Sequence, residues 1–155
     1  MVHWHNHFDY NATTGDLIRK HRGREHFDTD RMWKIWNTRW AGKPAGNPCL
    51  HRNKRRQAVQ VMHFGANMRA HRIIWEMQIG PIPDGFVIDH QNGDPWDNRL
   101  TNLRLATVSQ NGMNAITPSH NTSGVKGVQW HTRAGKWCAY IKHNGKTKWL
   151  GLHES

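Results

Sequence analysis

Hydrophobic positions along this chain come in short runs, and their spacing changes from segment to segment. Phe8-Asp9-Tyr10 and Asp16 to Arg19 alternate on either side of Thr13-Thr14-Gly15, which predicts a small β-hairpin with Gly15 in its turn. Residues 1–7 read as a frayed arm, and Lys20 to Asp30 is charged and without period. Trp33, Trp36 and Trp40 recur at helical spacing, although alternation also fits part of that segment. These tryptophans either pack onto the body of the protein or form an aromatic, basic surface. Ala41 to Pro48, with Gly42, Pro44, Gly46 and Pro48, reads as a loop. Residues 58–70 alternate as a hairpin turning at Gly65-Ala66-Asn67, and His71 to Met77 follows as a short helix stopped before Pro81 and Pro83. Phe86-Val87-Ile88 is strand-like and ends on Asp89-His90. A polar loop from Gln91 to Asn98 leads to a second strand at Leu103 to Ala106, then to a polar helix from Ser109 to Ile116. After a linker at 117–123, three strands are expected at Gly124 to Trp130, Lys136 to Lys142 and Lys146 to Leu152, with Asn144-Gly145 as a hairpin turn.

This order predicts an α+β fold. At 155 residues, 36% hydrophobic and a mean hydropathy of −0.87, the cores must be modest and joined by polar segments. We expect division into 1–57, 58–117 and 118–155. A net charge of +11 and a pI near 10.4 call for a polyanionic partner, nucleic acid first and an anionic membrane surface second. No apolar run approaches the ~18 residues of a membrane span, and neither a signal-peptide pattern nor a basic amphipathic helix is evident. Cys49 and Cys138 lack zinc-knuckle spacing, so free thiols in a reducing cytoplasm are expected, with a disulfide as the alternative. The cluster Arg52, Lys54, Arg55 and Arg56 is either a solvated face or a phosphate contact. His71 is expected to be a buried, hydrogen-bonded structural residue, or else to support a neighbouring site.

The strand-loop-strand-helix stretch from Val87 to Asn114 carries the candidate chemistry. Asp89 offers a carboxylate oxygen and Asn111 an amide oxygen, hard donors suited to Mg²⁺ or Mn²⁺ sharing their shell with water and phosphate. His90 points to the opposite side of an extended strand from Asp89, where a neutral imidazole could deprotonate water near pH 7. The plainer alternative is a turn dipeptide followed by turn and cap asparagines.

The same stretch resembles the active-site segment of phage HNH homing endonucleases, the ββα-metal nucleases. The resemblance is carried by Asp89-His90, Gly93-Asp94, Asp97-Asn98-Arg99, Asn102-Leu103-Arg104 and Asn111, in the family's order and spacing. It implies His90 as general base, Asp89 and Asn111 as metal ligands, and Asn102 as the asparagine that braces the loop. Arg72, Arg99 and Arg104 become candidate phosphate contacts, Arg99 and Arg104 equally candidate loop braces. The string His5-Asn6-His7 is given no role.

Ser123-Gly124, Gly127-Val128, Trp130, Trp137, Ala139 and Ile141, and a closing Leu150-Gly151 resemble the three-stranded sheet of the APETALA/ethylene-response-factor DNA-binding domain. The resemblance implies major-groove contact by Lys126, Trp130, Arg133, Lys136, Trp137, Lys142, Lys148 and Trp149, with Arg55 and Arg56 as further basic candidates. Some of these tryptophans must instead cover the sheet. That family's sheet is followed by a helix with no counterpart here before Ser155, and a bare three-stranded sheet is marginal. We therefore expect it to lean on the nuclease part or on DNA.

Together these readings imply a Mg²⁺- or Mn²⁺-dependent endonuclease acting on double-stranded DNA in the cytoplasm of an infected bacterium. It would nick as a monomer and leave 5′-phosphate and 3′-hydroxyl ends. A non-catalytic duplex-DNA-binding protein on the same scaffold is the alternative.

Overall fold

The expected first hairpin forms from β1 (Phe8–Asn11) and β2 (Asp16–Arg19), and a third short strand, β3 (Pro44–Ala45), adds to its edge. The structure is a computed structural model and describes residues 3–50, 56–117, 121–143 and 145–154. By packing, the chain divides into two compact units, Met1–Ala106 and Thr107–Ser155. The expected limits at 57 and 117 do not coincide with this division.

In the first unit, β4 (Asn47–Leu50), β5 (Arg56–His63) and β6 (Ala66–Arg69) make a second antiparallel sheet with β5 in the centre. Two strands thus occupy what reads as a Gly/Pro loop. Pro44 begins the short β3, and Pro48 falls on β4, an edge strand, where a missing N–H is tolerated. The β5–β6 turn falls on Phe64-Gly65 rather than on 65–67, with φ of 44° and 79°. A two-residue turn with both φ positive matches strand twist and holds Val61 opposite Met68.

Helix α1 (Asp30–Trp40) starts at Thr29, whose hydroxyl accepts from the Met32 N–H. It buries no residue fully; its tryptophans face the Arg19–Phe27 segment instead of the core. The Trp33 indole donates to the Arg22 carbonyl, Trp36 lies against Phe27, and Trp40 lies under Arg19 and Arg39. Helix α2 (Ala70–Gln78) is the centre of the core, burying Ala70, His71, Ile73, Ile74, Trp75 and Met77. Its large apolar side chains contribute roughly 2 kcal/mol each. Around it pack Phe8, Leu17, Val61, Ile88 and Leu103. Trp4, expected in a frayed arm, is also buried here, and its indole donates to Glu76 at 2.7 Å. The last pair in this unit is β7 (Phe86–His90) with β8 (Leu103–Thr107).

Gly15 ties the first hairpin to the loop between β7 and β8. It has φ of +81°, and a Cβ there would lie 2.6 Å from the Arg99 backbone nitrogen. Gly15→Ala is expected to cost about 2–3 kcal/mol, from left-handed backbone strain plus a backbone clash that no side-chain rotation relieves. Urea unfolding checks it; a loss below ~1 kcal/mol would mean that hairpin and loop separate freely.

The second unit holds α3 (Val108–Asn114) and a sheet of β9 (Val128–His131), β10 (Lys136–His143) and β11 (Lys146–His153), with β10 central. A reciprocal capping box between Thr107 and Gln110 starts α3. Gly127 is required by close approach: a Cβ would meet the Tyr140 carbonyl oxygen at 2.2 Å. The Ser123 hydroxyl lies within hydrogen-bond distance of the Val125 and Val128 carbonyls, to which it offers its one proton, at the entry to β9. The sheet buries little. Cys138, a free thiol, is its buried apolar residue among those described, while Trp130 and Trp149 are 48% and 63% exposed.

Candidate active site

Strand β7 ends with Ile88, Asp89 and His90 all buried. Alternation along the strand sends the last two to different partners. Arg104, on the neighbouring β8, donates from Nε and a terminal nitrogen to one Asp89 oxygen, at 2.9 and 2.8 Å. The carboxylate side chain is 5% exposed and the guanidinium 45%. His90 Nε2 lies 3.0 Å from the Asn98 amide oxygen. An amide oxygen can only accept, so Nε2 carries the proton and Nδ1 is the basic nitrogen. The His71 ring stands perpendicular to His90 at 5.0 Å.

His71 is buried but not fully hydrogen-bonded, because its Nδ1 has no partner among the described residues. Burial, then the nearness of His90, Arg69 and Arg72, lowers its pKa to about 3. It is therefore a neutral wall beside His90 at ordinary pH.

The loop that carries Asn98 is built from side-chain-to-backbone bonds. Asn102 accepts from the Asn92 N–H at 3.0 Å and donates to the Asn92 amide oxygen and the Asp97 carbonyl. Asp94 and Asn92 each accept from a backbone N–H two residues on, the Asx turns that this composition favours. Arg99 binds Asp97 through two nitrogens, which holds the Asp97 carboxyl down at about 2. Arg99 and Arg104, each a candidate phosphate contact, both hold carboxylates of this site.

Support for the loop comes from far along the chain. The Tyr10 hydroxyl accepts from Leu100 N–H and donates to the Asn98 carbonyl, and Trp96 donates to Gln57 on β5. Asn98 and Tyr10 were not singled out as functional from sequence. Asn98 lies within the Asp97-Asn98-Arg99 triplet, and Tyr10 within the Phe8-x-Tyr10…Thr14-Gly15-x-Leu17 pattern that resembles the opening of phage HNH proteins, but neither signal points to the bond between them.

Asp89, His90, Asn98, Asn102 and Arg104 thus belong to one unit. Asn111 is exposed on α3, in the second unit, with Asn114 on the same helix. Arg72 is exposed on α2. Trp130 and Trp137 pack edge to face at 5.2 Å, Lys136 pairs with Glu154, and the Trp149 indole lies 3.1 Å from Cys138 Sγ. Lys126 donates to the Met113 carbonyl, while Arg133, Lys142 and Lys148 are exposed. Arg55 lies outside the described residues, and Arg56 is described as part of β5 only.

Among the described residues no group of three or more His, Cys, Asp or Glu could hold a metal ion. A single buried carboxylate with amide oxygens suits an ion that completes its shell with water and phosphate, as Mg²⁺ does.

Residues 68–113 match the family model for HNH endonucleases. The chain carries an HNH endonuclease domain. The matched segment begins in β6, ends in α3 and contains Asp89, His90, Asn98, Asn102, Arg104 and Asn111. Protein 3.8 of Escherichia phage T7 is 44% identical over 78 residues, half of this chain and 64% of that protein. An uncharacterized HNH endonuclease of Acanthamoeba polyphaga mimivirus is 40% identical over 62 residues, 39% of this chain and 33% of that protein. The chain thus spans less than two thirds of either relative. A solved structure describing DNA binding and cleavage by the HNH homing endonuclease I-HmuI aligns with 93% of this chain and 71% of that one, at 18% identity and a TM-score of 0.44.

Breaking the pair on the HNH strand should be costly. Arg104→Met is expected to destabilise the protein by about 2 kcal/mol, because it leaves the buried Asp89 carboxylate without its cation while half of the lost arginine was solvated. A urea midpoint unchanged from wild type would show that the pair contributes nothing.

Proposed function

We propose that the protein is a metal-dependent HNH endonuclease that hydrolyses a phosphodiester of duplex DNA. The observation that carries this reading is the His90–Asn98 bond, which places the imidazole proton on Nε2 and so supports Nδ1 as the base. His90 takes a proton from water onto Nδ1 as that water attacks phosphorus in line. The bond to the 3′ oxygen breaks and that oxygen takes a proton from solvent water, leaving 5′-phosphate and 3′-hydroxyl ends. Asn98 keeps the ring oriented, Asn102 keeps the loop that carries Asn98 in shape, and His71 limits water on one side of the base. Asp89 and Asn111 would hold Mg²⁺ or Mn²⁺, and that ion would neutralise charge on the phosphate and the departing oxygen. One such site nicks one strand, so a monomer gives nicked rather than linear DNA.

For DNA binding we propose the second unit's sheet, through Trp130, Arg133, Lys136, Trp137, Lys142, Lys148 and Trp149, with Lys126, Arg72, Arg55 and Arg56 as further phosphate contacts. The exposed indoles and the positive charge support it. The affinity for duplex DNA should fall at least about tenfold between low and physiological salt; salt-independent binding in a filter or anisotropy titration would remove the basic surface from the account.

The second reading, a non-catalytic DNA-binding protein, is favoured by one observation: Asp89 already has a cation, Arg104, on it. Conversion of supercoiled plasmid to nicked circles separates the two. Nicking that needs Mg²⁺ or Mn²⁺ and stops on chelation supports the nuclease; duplex binding without nicking in either metal supports the second reading.

A further inference from the structure

A cluster of rings and cations in the first unit takes no part in the chemistry above. The Arg22 guanidinium lies between two aromatic rings, 4.1 Å from the Trp36 centroid and 4.5 Å from the Phe64 centroid. One of its nitrogens is 3.1 Å from His63 Nδ1. Arginine only donates, so Nδ1 accepts and Nε2 bears the proton. That Nε2–H is buried without a partner among the described residues. His7 stands 4.5 Å from the His63 ring, and His26 is 5.2 Å from the Phe64 ring and 6.3 Å from His7.

This charge is held in place by the fold. The Arg22 N–H donates to the Asn37 side chain, and its carbonyl accepts from the Trp33 indole and the Asn37 amide. Among the described residues Arg22 has no carboxylate ion pair, and Glu25 lies 3.5 Å from His26. The group thus holds one permanent cation, Arg22, and several ring N–H donors, with His7 and His63 held toward the neutral form first by burial and then by neighbouring positive charge. A metal ion would meet repulsion here; an anion would relieve it.

Phe64 adds an independent sign. It occupies the first position of the β5–β6 turn at φ of +44°, where Asn, Asp or Gly would fit without strain, and its ring is 54% exposed. A bulky residue kept in strained backbone at an exposed tip argues for use at that surface. β5 also sets a distance: His63 is at its cluster end, while Gln57 near its other end holds Trp96 of the active-site loop. Six residues of strand span ~20 Å, the rise of about six base pairs.

We propose that the Arg22-centred cluster is a second contact for the DNA backbone, separated from the active-site loop by the length of β5. Arg22, His7 and His26 face phosphate, and Phe64 lies against the adjoining sugar and base. This rests on the DNA reading above and adds a site to it.

The test is duplex-DNA affinity of the full chain as a function of salt, without divalent metal, for wild type, Arg22→Gln and Phe64→Asn. Asn suits the turn better than Phe, which offsets the ring contacts with Arg22, His26 and His63 that Phe64→Asn gives up, and a melting curve checks that the variant is folded before binding is read. Each variant is expected to bind about five- to tenfold more weakly, and Arg22→Gln should lower the salt slope by about one. Wild-type affinity and slope in both folded variants would overturn the site and leave the DNA reading intact. Failure of the wild type to bind duplex DNA at any salt would overturn both. Should Arg22→Gln fail to fold, Phe64→Asn decides alone.

Discussion

His90→Ala is expected to lower single-turnover plasmid nicking by about 10²–10⁴-fold while leaving duplex affinity nearly unchanged. The loss follows from the tautomer. With Nε2–H engaged by Asn98, Nδ1 is the ring's one basic nitrogen, and His71 beside it is unsuited to replace it. His71 is near enough, at 5.0 Å between rings, but burial holds its pKa at about 3, far too low for a base that must work near pH 7. His90→Gln should be as inactive as the alanine variant, because an amide can accept from Arg or water but cannot take a proton. Asn98→Ala should lie between wild type and these, since it frees the ring without removing the base. Nicking by His90→Ala at the wild-type rate would show that another group deprotonates the water.

The pieces that sequence made legible are those whose partners are near in the chain. Asp89-His90 on a strand end, the Asn92 to Asn98 turns and the Asn102 bonds back to them all lie within fourteen residues. The residue types there can satisfy few other arrangements. What stayed hidden depends on contacts far along the chain. Tyr10 and Gly15 support the loop from more than 80 residues away, and neither carries a local signal of doing so. Trp4 sits in a polar context that reads as an arm, and only the three-dimensional path brings it over Glu76 and α2. β3 and β4 were obscured by Gly42, Pro44, Gly46 and Pro48, since edge position excuses residues that composition counts as breakers. The tryptophans of α1 show the limit of periodicity: spacing gave the helix, but not that its face would serve Arg22 instead of the core.

The second large effect expected is loss of the first unit's stability in mild acid. His63 and His71 are 6% and 5% exposed and sit on β5 and α2, the two elements at the centre of the core. Burial first, then His7, Arg22 and His26, lowers His63 to about 4; burial first, then His90, Arg69 and Arg72, lowers His71 to about 3. In the unfolded chain both return to about 6.5. Between these values the unfolded state binds more protons, so stability rises with pH through the window. What is fully present above pH ~6.5 is lost progressively down to about pH 4 for His63 and about pH 3 for His71. Allowing the rings to relax toward solvent once charged, each contributes on the order of 2 kcal/mol, together a large share of the ~5–15 kcal/mol of a typical domain. Asp97, held down at about 2 chiefly by its bond to Arg99, acts in a lower window, so its contribution is lost only as pH falls below about 4. Melting temperature should therefore fall steeply from pH 7 to 4. His71→Phe, which fills a similar volume and does not titrate, should flatten that fall even if it lowers stability at pH 7. A melting temperature that is constant from pH 7 to 4 would mean that neither histidine is neutral and buried in the native state.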